Sequence, residues 1–470
     1  MKKLTALAIM AATAVSLSAC GSAEEESAQT ESAAVSTSKD TAEAAESADE
    51  GTAEEGEPVE ISFLVTKPEI VTQFEETFST YMASHPNVTI SAIPLSGQTI
   101  YEKLTSLYAS GNAPTITMVG GPEFTAFSDN FLDITDTKFA NLVYDWAKPK
   151  TSVDGKVLAV PTTAEGIGIL YNKTVIEAAT GREFDPASIK NRKDFEAILD
   201  EISKTEYSPI QMSNMDWLLG SHLPSVLFGA VSPDYDERQA VIEQCKEGTY
   251  DFQNSQVFNE WMDTFDLIMK YNTYKDSPLS NTYEDDQLTM ASDEVAFWPI
   301  GNFVYPNIIA VNPEAEVGLM PYPMGDADDA YGNKEIVLSY SMFAIDGKQS
   351  TPEEQQAAID FFDWLITSEE GQNCYINTLQ FTPVFEGFAL EPSNPTAVQL
   401  NQYMADGNTL ERMSDYFPAG AMNLFGATMQ QYLDGVITRE DVAAHFPEEW
   451  VESAAEKGKS RKECRSNGIS

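Results

Sequence analysis

Residues 59–65 read VEISFLV, and the organisation of the chain follows from them outward. Val59, Ile61, Phe63 and Val65 alternate with less apolar neighbours, the period of two expected of a strand with one face in a core. Lys67-Pro68 then punctuates the run. Ile70, Val71, Phe74, Phe78 and Tyr81 recur at helical spacing as far as His85-Pro86, and Val88, Ile90 and Ala92 alternate again as a second strand. Tyr101, Leu104, Thr105 and Tyr108 predict a further helix closed by Gly111. Ile116–Val119 then reads as a short buried strand ending in Gly120-Gly121-Pro122. This β-α-β-α-β order predicts an α/β fold with a mainly parallel sheet and helices on both faces, a layout that seats ligands beyond the carboxyl ends of the strands.

Upstream, Lys2 and Lys3 precede a mostly apolar run from Leu4 to Leu17, with Ala19 before Cys20, so residues 1–19 read as an export signal. The run is shorter than the roughly 20 helical residues a hydrocarbon core requires, so removal is expected rather than retention as a span. Leu17-Ser18-Ala19-Cys20 resembles the lipobox of bacterial lipoproteins, which implies cleavage before Cys20 and a diacylglycerol on its thiol. Residues 20–57 are rich in Glu, Ala, Ser and Thr, hold one cation, Lys39, and no aromatic side chain. Such a segment has nothing to offset the entropy of ordering and is expected to be a disordered acidic tether. At the other end, residues 453–470, with Arg461, Lys462 and Arg465, are expected to form a flexible tail.

The part between exceeds the roughly 250–300 residues that one core holds, so two domains are expected. Its middle is helical. Phe195, Ile198, Leu199 and Ile202 share one face, and Phe258, Trp261, Met262 and Phe265 share another behind a cap at Ser255. Thr351-Pro352-Glu353-Glu354 starts a later helix with a hydroxyl cap, a proline at the first position and a glutamate at the third. A formal charge of −46 over 470 residues makes nucleic acid a poor partner, because phosphate binding needs a basic face. Cys245, Cys374 and Cys464 are widely spaced, and free thiols are the expected state.

Little in the chain suggests catalysis. His85, His222 and His445 have no metal-ligand spacing, so no metal or cofactor is expected, and each histidine is assigned a loop or cap role. No nucleophile elbow occurs, and Gly166-Ile167-Gly168 lacks the remainder of a dinucleotide fingerprint. A carboxylate pair such as Glu165 with Asp293 would serve glycoside hydrolysis only at a suitable separation.

Three stretches together resemble the extracellular solute-binding protein family 1, the sugar receptors of bacterial ABC importers. They are Gly155-Lys156-Val157-Leu158-Ala159-Val160-Pro161 with Gly168–Lys173, then Ala296–Asn302 with Val317–Pro323, then the capped helix from Thr351 with Glu369–Gln372 and Thr382-Pro383-Val384. The resemblance implies a two-lobed, periplasmic-binding-protein-like α/β fold with three hinge crossings, near 162–165, 324–327 and 380–382. Lobe 1 would then comprise 58–163 and 326–381, and lobe 2 would comprise 164–325 and 382–452. It also implies a monomer that captures a mono- or oligosaccharide, works with ABC permease subunits and touches the membrane only through its lipid. Carried over at motif ends, Lys67, Glu69, Gly120, Gly121 and Glu165 are expected to line the cleft. Trp298, Asn302, Tyr340 and Phe381 are added as aromatic planes and hydrogen-bonding groups for a sugar, and Trp217 as either a stacking or a core residue. Rival readings are a surface carbohydrate-processing enzyme and a receptor for a charged solute such as a polyamine or a phosphorylated polyol.

Overall fold

The computed structural model describes residues 57–466 apart from 146 and 419. The expected leader, Cys20 and nearly all of the tether lie outside the described residues. Strand β1 (Val59–Val65) is followed by helix α1 (Val71–Ser84), β2 (Val88–Pro94), α2 (Ile100–Ala109), β3 (Ile116–Val119) and the short α3 (Gly121–Phe127). β1 pairs in parallel with β2, from Val59 opposite Val88 to Val65 opposite Pro94, and with β3 on its other side. Parallel pairing requires a crossover, and α1 and α2 supply it.

The chain then leaves this sheet. β4 (Val160–Pro161) belongs to the first sheet, whereas β5 (Glu165–Asn172) is the centre of a second, so Thr162–Ala164 carry the chain across. The second sheet is completed by β6 (Ser208–Ile210), β7 (Val295–Gly301), β8 (Val317–Met320) and β9 (Ile336–Ser339). β5 and β7 are buried along their full lengths, which explains their near-continuous apolar sequences. The next strand, β10 (Met342–Ile345), returns to the first sheet between β3 and β4. Helix α4 (Pro352–Thr367) begins with the expected capping box, Glu354 N donating to Thr351 Oγ1 at 3.2 Å and Thr351 N to Glu354 Oε2 at 2.7 Å. β11 (Thr409–Glu411) pairs with β9, and α5 (Ala421–Leu433) and α6 (Arg439–Ser466) close the described chain.

The architecture is therefore the two-lobed α/β arrangement anticipated, with two passages displaced. The second passage lies at Tyr340-Ser341, between β9 and β10, and not near 324–327, because β9 is hydrogen-bonded to β5. The third lies beyond Ala389. Phe385 still bridges Val143 and Ala389 N still donates to Gln372, so 382–389 stay with the first lobe. The backbone of α6 also continues to Ser466 through most of the expected tail, a stretch of Ala, Glu, Lys and Arg with high helix propensity. Among the described residues no helix is long and apolar enough to cross a membrane.

Candidate functional site

The carboxyl ends of β1, β2 and β3 point the same way, so the loops that follow them build one wall of a cleft of about 930 Å³. Lys67, Pro68 and Glu69 follow β1, residues 95–99 follow β2, and Gly120 follows β3. In the second loop Ser96 and Gly97 both take a left-handed backbone, with φ of 55° and 79°. The turn they make delivers Thr99 as the cap of α2, where Glu102 returns the hydrogen bond. The opposite wall comes from the second lobe: Asp216, Trp217, Ser221 and His222, then Tyr283, Phe303, Ser339, Arg412, and finally Phe417, Pro418, Gly420, Met422 and Asn423.

That wall has an unusual support. Leu218–His222 form one turn of π-helix, a wide turn that re-aims side chains and recurs at functional sites. Two glycines lock it to α5. A Cβ on Gly220 would stand 1.9 Å from Met422 O, and a Cβ on Gly426 would stand 2.7 Å from the backbone of Asp216. The backbones touch, and Asp216, Trp217, Ser221 and His222 are held at the cleft as a rigid group. Trp217 meets His222, Tyr283 and Phe303 edge-on, at ring-centroid distances of 5.0, 5.5 and 6.1 Å.

Charge in the cleft is organised in two clusters. Lys67 hydrogen-bonds Glu165, lies 3.9 Å from Glu69, and places Nζ 5.2 Å from the centre of the Phe303 ring. Burial holds the Glu69 carboxyl above its ordinary range, with Lys67 opposing. Burial, followed by Glu69 and Glu165, pushes the Tyr283 hydroxyl well up, so this phenol stays protonated and able to donate. In the second cluster Arg412 donates to Ser339 Oγ and Ser414 Oγ at 3.1 Å each and to Ser221 Oγ at 3.5 Å, and its Nε lies 3.7 Å from Asp415. Burial raises Glu123 as well, with Arg412 opposing. His222 is pushed well below its ordinary value by burial and then by Arg412 and Lys67, so its ring is neutral. Lys150 of the first lobe reaches across to Asp415 at 2.8 Å and Glu411 at 3.6 Å.

Of the residues singled out in the sequence, Lys67, Glu69, Gly120, Glu165 and Trp217 line this cleft together. Gly121 does not. It packs against Asp415, whose Cβ would lie 2.7 Å from a side chain there. Trp298 is fully buried and donates from Nε1 to Ser213 Oγ at 2.8 Å. It was expected as an aromatic plane for a sugar, yet β7 runs through Pro299 to Gly301, which makes Trp298 an interior residue paired with Leu170. Asn302 caps the sheet by accepting from Gly166 N at 2.9 Å, and with Phe381 it lines a small pocket of about 20 Å³ that shares Lys67, Glu69, Glu165 and Phe303 with the cleft. Phe381 otherwise packs on Phe74 and Tyr375. Tyr340 is buried and donates to Ala147 O at 3.3 Å, while its neighbour Ser341 faces the cleft. Asp293 accepts from Asn172 Nδ2 at the far end of β5 from Glu165, so these two carboxylates form no pair.

Asp216, His222, Tyr283 and Arg412 were absent from the expected set. The only sequence signals were the Asp216-Trp217 dipeptide, which joins an acceptor to an aromatic plane, and the rarity of cations that sets Arg412 apart. Among the described residues no group of three or more His, Cys, Asp or Glu could hold a metal ion. Cys245 and Cys374 are buried free thiols.

Fold and cleft define a binding protein in which two lobes face each other across a solute-sized space. Residues 69–402 match the bacterial extracellular solute-binding protein family, and the chain belongs to that family. Similar solved structures include the binding protein RafE in complex with raffinose, 17% identical with a TM-score of 0.71, over 84% of this chain and 99% of that one. A sugar transporter of Bacillus licheniformis in complex with stachyose is 15% identical with a TM-score of 0.67, over 84% and 100%. A binding protein of an ABC transporter from Bifidobacterium animalis subsp. lactis in complex with mannobiose is 18% identical with a TM-score of 0.63, over 85% and 95%. At such identities the likeness is one of fold. No curated protein matches the chain in sequence.

Proposed function

We propose that this protein captures a carbohydrate between its lobes, without altering it, and hands it to the permease of an ABC importer. The observation that carries the reading is the composition of the cleft. Aromatic faces at Trp217, Tyr283 and Phe303 stand beside carboxylates, serines and Arg412, and both lobes contribute. A saccharide presents apolar C–H faces and hydroxyl edges, and these two kinds of group meet them. A ligand that touches both walls favours closure, because only contacts made in the closed state shift the equilibrium toward it. The passages at 162–164, 340–341 and 390–394 serve as the hinge in this reading. Similarity of fold to binding proteins solved with raffinose, stachyose and mannobiose supports it. Lipid attachment at Cys20, with residues 21–57 as a tether, would hold the receptor at the outer face of the cell membrane, on a Gram-positive surface.

Calorimetric titration with a panel of mono-, di- and oligosaccharides tests the proposal. At least one is expected to bind with a dissociation constant in the micromolar range or below and to be recovered intact. Trp217→Ala is expected to weaken that binding by tenfold or more and, since three edge-on ring contacts are lost, to lower the melting temperature while the protein still folds. Turnover of the sugar, or failure of every saccharide to bind, would overturn it.

A further inference from the structure

The cations of the cleft are already committed to neighbouring groups. Of its two cations, Lys67 is held by Glu165 and Glu69, and its ammonium already lies over the face of Phe303. Arg412 spends its donors on Ser339, Ser414 and Ser221 and lies 3.7 Å from Asp415, with Glu123 close by. Glu102 accepts from Thr99 N and Thr99 Oγ1 at 3.0 Å each. An anionic ligand would have to break the serine contacts of Arg412 and would face Glu69, Glu123, Glu165 and Asp216 with no further cation among the described lining residues to offset them. A cationic ligand would find the Phe303 face already taken by the Lys67 ammonium, and Glu165 and Glu69 already engaged by it.

A carboxylate on the second wall is left over. Asp216 Oδ1 accepts from Trp217 N at 2.7 Å, and among the described residues its carboxylate is in no ion pair. Its backbone is fixed by the close approach of Gly426, and it lines the cleft together with its neighbour Trp217. A carboxylate next to an aromatic plane accepts hydroxyl hydrogens at the edge of whatever stacks on that plane, and a charged acceptor bonds hydroxyls more strongly than a neutral one.

We propose that the cleft selects an uncharged polyhydroxylated ligand and that Asp216 is the specificity-determining acceptor for its hydroxyl groups. This deepens the carbohydrate reading and rests on it. The test titrates the full chain with neutral di- to tetrasaccharides, with oligogalacturonate, with de-N-acetylated chitosan oligomers and with spermidine. Binding is then repeated at 50 and 500 mM NaCl. A neutral saccharide is expected to bind tightest, with an affinity that changes less than twofold between the two salt concentrations, since screening acts on charged partners. Asp216→Asn is expected to weaken that ligand about tenfold and to leave the melting temperature of the free protein unchanged. Tightest binding by the uronate or the aminosugar would overturn charge selection while leaving the carbohydrate reading intact, and spermidine as the tightest ligand would overturn both. Asp216→Asn with unchanged affinity would overturn the role of Asp216. Should that variant fold poorly, the salt series on the unaltered protein still decides the charge claim.

Discussion

Behind the wall formed by the ends of β1, β2 and β3 lies an apolar aromatic cluster, in which Phe63 meets Phe74, Phe78 and Phe343 at centroid distances of 5.2, 5.3 and 5.6 Å. Behind the opposite wall runs a chain of hydrogen bonds, from Trp298 Nε1 to Ser213 Oγ and from Ser213 to Asp286, which Asn281 also reaches at 2.8 Å. The first foundation is non-directional and accommodates changes of shape. The second is directional, and losing one member strands a buried polar partner. The lobe that presents the rigid π-helical turn is thus also the lobe whose core depends on specific geometry.

The largest effect that would sharpen this contrast is expected from Trp298→Ala. It opens a cavity and removes the donor to Ser213, so a loss of about 3–5 kcal/mol is expected in urea unfolding. Phe343→Leu in the apolar cluster should cost about 1 kcal/mol. Equal losses would mean that the two foundations do not differ. Next comes pH. Burial pushes Asp286 up to about 6 despite the bonds from Ser213 and Asn281. Its native carboxyl binds a proton more tightly than the unfolded one, so its contribution to stability is present below the ordinary carboxylate range and fades as pH rises through about 6. The expected fall across that window is on the order of 3 kcal/mol, and Asp286→Asn should flatten it in melts taken between pH 4 and pH 7. A wild-type profile without that fall would remove Asp286 from the account. The last comparison concerns the glycines, of which Gly120 is expected to give the smallest effect. Gly220→Ala forces its Cβ against the backbone at Met422 and Gly426 and is expected to cost about 1–3 kcal/mol and to weaken ligand binding as the Trp217 turn shifts. Gly120→Ala on the first wall meets only the flexible end of Glu123, at 3.0 Å, and should change the melting temperature far less.

Legibility in the sequence differed between the walls for the same physical reason. The strands and helices from Val59 to Val119 repeat with periods of two and about 3.6, and such local patterns locate the strand ends beyond which the family resemblance placed Lys67, Glu69 and Gly120. The second wall has no periodicity. A π-helical turn has no composition of its own, and the pairing of Gly220 and Gly426 joins positions far apart in the chain. Trp298 was misplaced because Pro299 reads as the end of a strand. β7 continues through it because Pro299 lies opposite Ile169 in an antiparallel pair, a position a proline tolerates when no ladder donor is required of it. Tyr340 was one residue from the cleft, and in extended chain one residue reverses the side that a side chain faces, so Ser341 took the place.

Local order along the chain was thus settled by the sequence alone: the alternating α/β class, the capped helix at Thr351, and the charged residues that follow the first strand. These rest on neighbours within a few positions, whose hydrogen bonds and apolar faces are written in consecutive residues. Which tryptophan faces the cleft, where the chain returns between its sheets, and how Lys67 and Arg412 are neutralised were decided by tertiary structure. They depend on distances between residues remote in sequence, which only the packing of one lobe against the other sets.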